Sequence, residues 1–169
     1  MAELKSDFFN KEEVRTHDSR LSYINTFLPK LLKTAKEKTL GFKDHLESID
    51  PNEVRCIEDL QKIPVLRKSE LANKQKLFPP FGGFERTKEQ KTTHFFQSPG
   101  PIYEPGTRGL DWGRFAPFLY ATGVRKGMVL QNCFSYHLTP AGMMFEEGAL
   151  KIGTKVIPAG TGQTESVSY

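Results

Sequence analysis

Cysteine is scarce in this sequence, with two residues in 169, and tryptophan occurs once. Cys56 and Cys133 lie far apart, and neither has a second cysteine or a histidine at metal-ligand spacing. That excludes a disulfide framework and a zinc site, and fits two reduced thiols in a cytoplasmic protein. No apolar run is long enough to span a bilayer, and residues 1–10 alternate acid and base without an apolar h-region. Neither a membrane nor a secretory route is expected. A strong excess of one charge is also missing, because the net charge is +4 with a pI near 9.0. Lysines are densest over residues 30–43, but acids stand among them. Such a mixture describes a solvated helical face better than a nucleic-acid footprint. With 37% hydrophobic and 26% charged residues, the chain has the composition of a folded protein rather than a disordered one.

What is present divides into two textures. Residues 1–91 read as helical and loop-rich. Leu21, Ile24, Phe27 or Leu28, Leu31 and Ala35 recur at helical spacing, so a helix is expected over residues 6–40. Pro29 should kink or divide it, and Gly41 should cap its end. Asp50-Pro51 predicts a short helix, and residues 68–77 a polar one. Residues 78–84, Phe-Pro-Pro-Phe-Gly-Gly-Phe, must be loop, with phenylalanines that line a pocket or fasten the loop to the core. His17 and His45 each stand alone and suggest no chemistry.

Residues 92–169 read as α/β. Strands are expected at residues 92–97, 128–134 and 154–158. Helices are expected at 111–121 and 139–150, the second with Thr139 as cap and Pro140 at its first position, and another near Thr164. This β-α-β-α-β order predicts a mostly parallel sheet with right-handed crossovers. Ligands of such sheets bind beyond the carboxyl ends of the strands. Two glycine-containing loops fall there, residues 98–108 and 159–162, as does the Ser135-Tyr136-His137 turn. The sheet ends without the element that should cover it, so the chain reads as a fragment of a longer one.

The stretch from His94 to Arg108 carries the functional question. A strand that enters a glycine-rich loop before a helix is where α/β proteins hold phosphates on backbone N–H groups. Here Pro99, Pro101 and Pro105 have no N–H to offer, and Tyr103 is bulky. The remaining candidates are Ser98 Oγ, the N–H groups of Gly100, Ile102 and Tyr103, and the charge of Arg108. Tyr136 and His137, with Ala159 and Gly160, are candidates to touch an acyl group or a nucleotide. Each of these turns could equally be packing alone.

The order of parts resembles a known family. Leu60-x-x-Ile63-Pro64-Val65-x-x-Lys68 comes first, then Gly123-Val124-Arg125-Lys126-Gly127. Next is Ser135-Tyr136-His137-Leu138-Thr139-Pro140-Ala141-Gly142. The last runs from Gly153 through Val156-Ile157-Pro158-Ala159-Gly160-Thr161-Gly162 to Glu165. Together they resemble the N-terminal part of phenylacetate–coenzyme A ligases, within the adenylate-forming acyl-CoA synthetases. The resemblance implies the large domain of an adenylate-forming enzyme and a two-step reaction. A carboxylate attacks the α-phosphate of ATP, with Mg²⁺, and coenzyme A then displaces AMP. It further implies a small carboxylic acid as partner, aromatic acids being the class the family takes. The family's phosphate loop, Ser-Ser-Gly-Thr-Thr-Gly-x-Pro, falls on residues 98–105. Only Ser98, Gly100 and Pro105 match; Pro101 and Ile102 replace the threonines, and Tyr103 the second glycine. In that family the adenine, ribose, magnesium and catalytic-lysine positions lie further along the chain. The resemblance therefore places no catalytic or metal residue here and implies a fragment inactive by itself. The alternatives are a relative that binds an acyl group or nucleotide without activating it, and a structural fragment that self-associates, as a homodimer for instance, through its unfinished sheet.

Overall fold

Thr16 and Thr39 set the limits of the longest helix. The computed structural model describes residues 7–86, 92–107, 109 and 111–162. Its chain divides into two compact units, one of Met1–Val14, Thr92–Ser98 and Gly106–Tyr169, the other of Arg15–Lys91 and Pro99–Pro105.

In the second unit, α1 spans His17–Lys38 and α2 Leu40–His45. Thr16 Oγ1 accepts from Ser19 N–H at 3.2 Å and opens α1. Thr39 closes α1 and opens α2. Its Oγ1 donates to Ala35 O at 2.9 Å and accepts from Phe42 N–H at 3.2 Å. Gly41 is therefore not the expected cap. It is buried inside α2, where a Cβ would stand 2.8 Å from Gly82 O. Pro29 lies within one continuous helix rather than dividing it. The inward stripe is Leu28, Leu32 and Ala35, packed with Leu46, Val54, Phe42, Ile49 and Ile63. Leu31, expected inside, is 65% exposed. Asp50 caps a 3-10 turn at Pro51–Glu53 through Asn52 N–H, and another such turn spans Ile57–Lys62. Then α3 fills Lys68–Leu77, the expected span. In the loop after it Phe81 is buried and Phe84 packs edge-on against Phe42, while Phe78 is exposed.

The strands do not form the expected continuous β-α-β-α-β sheet. Among the described residues there are two two-stranded sheets. One joins β1 (His94–Ser98) to β2 (Ile102–Gly106), and the other joins β3 (Val129–Gln131) to β4 (Lys155–Ile157). The sequence reading missed β2 because of its proline, which an edge strand tolerates. Strands β3 and β4 are parallel, with Leu130 opposite Val156, and α5 (Ala141–Ile152) crosses between them. They are three residues each, shorter than expected.

Helix α4 covers only Phe115–Ala121. Asp111, expected as its start, lies outside it with φ of 57°. Its carboxylate accepts from Phe115 N–H at 2.7 Å and Ala116 N–H at 2.9 Å, so it caps the helix from four residues away. Thr139 and Pro140 likewise precede α5 rather than opening it. Ala116 and Leu119 of α4 meet Ala149 and Ile152 of α5, and Leu130 and Val156 of the sheet pack on this core. Gly148 permits the approach, since a Cβ there would lie 2.7 Å from Phe115 Cβ. Val129 and Ile157 remain 62% and 49% exposed. The helix expected near Thr164 lies outside the described residues.

Candidate functional site

Asn132 is the first residue beyond β3 and is 2% exposed. A buried amide is stable only when its hydrogen-bonding groups are matched. Asn132 N–H donates to Ile157 O at 2.9 Å, and its carbonyl accepts from Gly160 N–H at 3.0 Å. Its Nδ2 donates to Tyr136 Oη at 2.7 Å and to Gly142 O at 2.8 Å. Its Oδ1 accepts from Phe134 N–H at 3.2 Å. One residue thus ties together the ends of β3 and β4 through its backbone, and the turn after β3 and the first turn of α5 through its side chain. Sequence reading passed over Asn132, because a lone asparagine after a strand looks like any turn residue.

Tyr136 is half-buried against α5. Gly142 makes room for it; a Cβ there would meet Ser135 O at 2.7 Å and the Tyr136 ring at 2.9 Å. The phenol is pushed up to about 12, first by burial and then by the hydrogen bond and negative charge of Glu146, with the Asn132 amide acting the other way. It is a neutral hydroxyl at physiological pH. His137 is exposed, and its backbone is held by Ser135 Oγ and Thr139 N–H. Ala159 and Gly160 are half-buried, and Gly160 has a φ of 67° that favours glycine. Leu138 O accepts from Gln97 N–H at 2.8 Å, which brings the end of β1 to the same turn. The structure therefore gathers Tyr136, His137, Ala159 and Gly160 at one end of the β3–β4 sheet. Gln131 Nε2, at the carboxyl end of β3, is buried without a hydrogen-bond partner.

The other candidates stand elsewhere. Ser98 ends β1, Gly100 is in the exposed turn, and Tyr103 lies within β2; Arg108 lies outside the described residues. Tyr103 N–H donates to Gln75 Oε1 at 2.9 Å, and Gln75 Nε2 donates back to Tyr103 O at 2.8 Å. Ser98 and Ile102 also have partners of their own. With prolines at 99, 101 and 105, this donor set does not fit a polyphosphate. A cleft of about 280 Å³ lies between α3, Pro79, Pro80 and the turn residues Gly100, Pro101 and Tyr103. Among the described residues no group of three or more histidines, cysteines or carboxylates could hold a metal ion, and no helix is long and apolar enough to cross a membrane.

This mixed α/β architecture, with its helices and small sheets, is similar in fold to part of an adenylate-forming CoA ligase. Over 97% of the chain it superposes on 36% of 2-hydroxyisobutyryl-CoA ligase in the postadenylation state in complex with 2-HIB-AMP, with a TM-score of 0.86 and 21% identity. It also matches the same ligase in complex with 2-HIB-AMP and CoA in the thioesterification state, with a TM-score of 0.84 and 20% identity, over 97% of this chain and 37% of that one. In sequence the chain is similar to phenylacetate–coenzyme A ligases. It is 32% identical to that of Thermus thermophilus over 124 residues, and 30% identical to that of Pseudomonas putida over 122. The alignments cover 69% and 68% of this chain, and the chain spans 27% of the length of each relative. No protein-family model matches the chain.

Proposed function

We propose that the chain is the N-terminal part of an ATP-dependent acyl- or aryl-CoA ligase, in which a small carboxylic acid becomes an acyl-adenylate and then a thioester of coenzyme A. The observation that carries this is similarity in two independent respects: to phenylacetate–CoA ligases in sequence, and to a ligase solved with its acyl-adenylate in fold. In this reading the acid lies at the β3–β4 end. Asn132 positions Tyr136 there, burial and Glu146 keep it a neutral phenol, and the half-buried Ala159-Gly160 backbone lets a ligand come close. Such a wall orients an apolar acyl body and excludes water. It provides no charge for phosphate, so the chain by itself is inactive. Mg²⁺ and the catalytic groups belong to the rest of the ligase, and the protein acts in the cytoplasm.

The test is acid-dependent exchange of labelled pyrophosphate into ATP, run on this chain and on the product of its whole reading frame. Exchange by the longer protein alone supports the proposal. No exchange across a broad panel of acids sinks it. The second reading is then favoured, an acyl- or nucleotide-binding relative that does not adenylate. One observation already supports that reading: Tyr103 N–H is committed to Gln75.

A further inference from the structure

We propose that Gln75 closes the β1–β2 turn to nucleotide phosphates, so that any polyphosphate this protein binds is neutralised by groups outside residues 98–105. The proposal rests on the ligase reading, because only that resemblance identifies this turn with a phosphate loop.

A phosphate loop works by converging backbone N–H groups and hydroxyls on one anion. Three prolines over residues 98–105, two in the turn and one within β2, remove N–H donors outright. The Tyr103 donor is present but taken. Gln75 bonds both the N–H and the C=O of Tyr103, at 2.9 and 2.8 Å, the exchange that a neighbouring strand would make. The Gln75 side chain belongs to a residue only 9% exposed, so water cannot readily replace either bond. The helix that carries it is fastened one residue earlier, where Lys74 Nζ meets Asp44 Oδ2 at 2.8 Å. Ile102, 4% exposed, keeps the start of β2 inward. A phosphate oxygen that sought Tyr103 N–H would have to displace Gln75 Oε1 and would then face that carbonyl oxygen, an acceptor against an anion. The lock is thus double: it occupies the donor and places the wrong polarity beside it.

The experiment is amide-resolved NMR on the 169-residue chain, titrated with inorganic pyrophosphate and with MgATP, together with hydrogen exchange of the Tyr103 amide. The native chain is expected to show no saturable shift at Gly100, Ile102 or Tyr103. Protection of the Tyr103 amide should fall at least about tenfold in Gln75→Ala, as expected for loss of a buried hydrogen bond. Gln75→Glu, which keeps an acceptor for that N–H, should retain much of it. In Gln75→Ala combined with Pro101→Thr, shifts at Gly100 and Tyr103 should appear with pyrophosphate. Saturable shifts at these amides in the native chain would overturn the proposal. So would a folded double variant that gains none. The native titration decides the matter even if a variant does not fold. Loss of pyrophosphate exchange in the longer protein, with these shifts absent as expected, would remove the ligase reading and leave the closure by Gln75 standing.

Discussion

Asn132 Nδ2 donates to Tyr136 Oη at 2.7 Å, so the phenol oxygen is held as an acceptor and its own proton is turned toward Glu146. The ordinary phenol ionises near pH ~10, while Tyr136 is pushed up to about 12. The folded state therefore holds the proton more tightly than the unfolded one. The stabilising contribution is full below the ordinary value and is lost as pH rises through the folded one. Ultraviolet titration should show one phenol that ionises late, absent in Tyr136→Phe, and alkaline unfolding should begin at a lower pH in Asn132→Leu. Coincident titration of all tyrosines would contradict this arrangement.

Gly142 tests the same site by space rather than charge. A methyl group there meets a backbone carbonyl oxygen at 2.7 Å, which cannot give way as a flexible side chain can. Gly142→Ala should cost about 1–3 kcal/mol by overpacking, measured by urea denaturation. It should also bring the Tyr136 titration back toward that of an ordinary phenol. A stability unchanged within error would show that the turn and α5 are not closely packed.

Asp111 should matter through its two hydrogen bonds to the start of α4. Asp111→Ala leaves two N–H groups, one half-buried and one buried, without that acceptor. The expected loss is about 1–3 kcal/mol, larger than for Thr139→Ala, whose hydroxyl does not cap α5. Equal losses at the two positions would overturn this assignment of the cap.

The two thiols should differ in reactivity. Cys56 Sγ donates to Asp59 Oδ2 at 3.3 Å, and the hydrogen bonds of Glu58 and Asp59 raise its ionisation above the ordinary thiol value. Cys133 is exposed. Iodoacetamide at pH near ~8 should label Cys133 first, since the thiolate is the reactive form. Asp59 itself is held well below the usual carboxylate range by Lys62, and then by Arg55 N–H. Its contribution is present above the ordinary carboxylate value and is lost as pH falls through the lower folded one. Asp59→Asn should make acid unfolding less steep, and an unchanged acid limb would count against that role.

Local chemistry was legible in the sequence wherever a few adjacent residues settle the backbone. The α3 span, the Asp50-Pro51 turn and the order strand–helix–strand around α5 follow from period, caps and prolines. So does the resemblance to phenylacetate–CoA ligases, because its motifs are contiguous. Three features did not follow. β2 was hidden by its proline. The inward face of α1 turned on Leu28 and Leu32 rather than Leu31, because both neighbouring stripes are apolar and only the partners select one.

The third feature is the pair of partners that decide the sites. Sequence alone established which groups exist: a turn poor in N–H donors, a tyrosine after a strand, a glycine loop after the next. Only the tertiary structure determined which of those groups are spent. Gln75 reaches Tyr103 across 28 residues, and Asn132 joins two strand ends and a helix start. Hydrogen-bond satisfaction in a buried setting depends on distance in space, and the spacing of residues along the chain does not encode it.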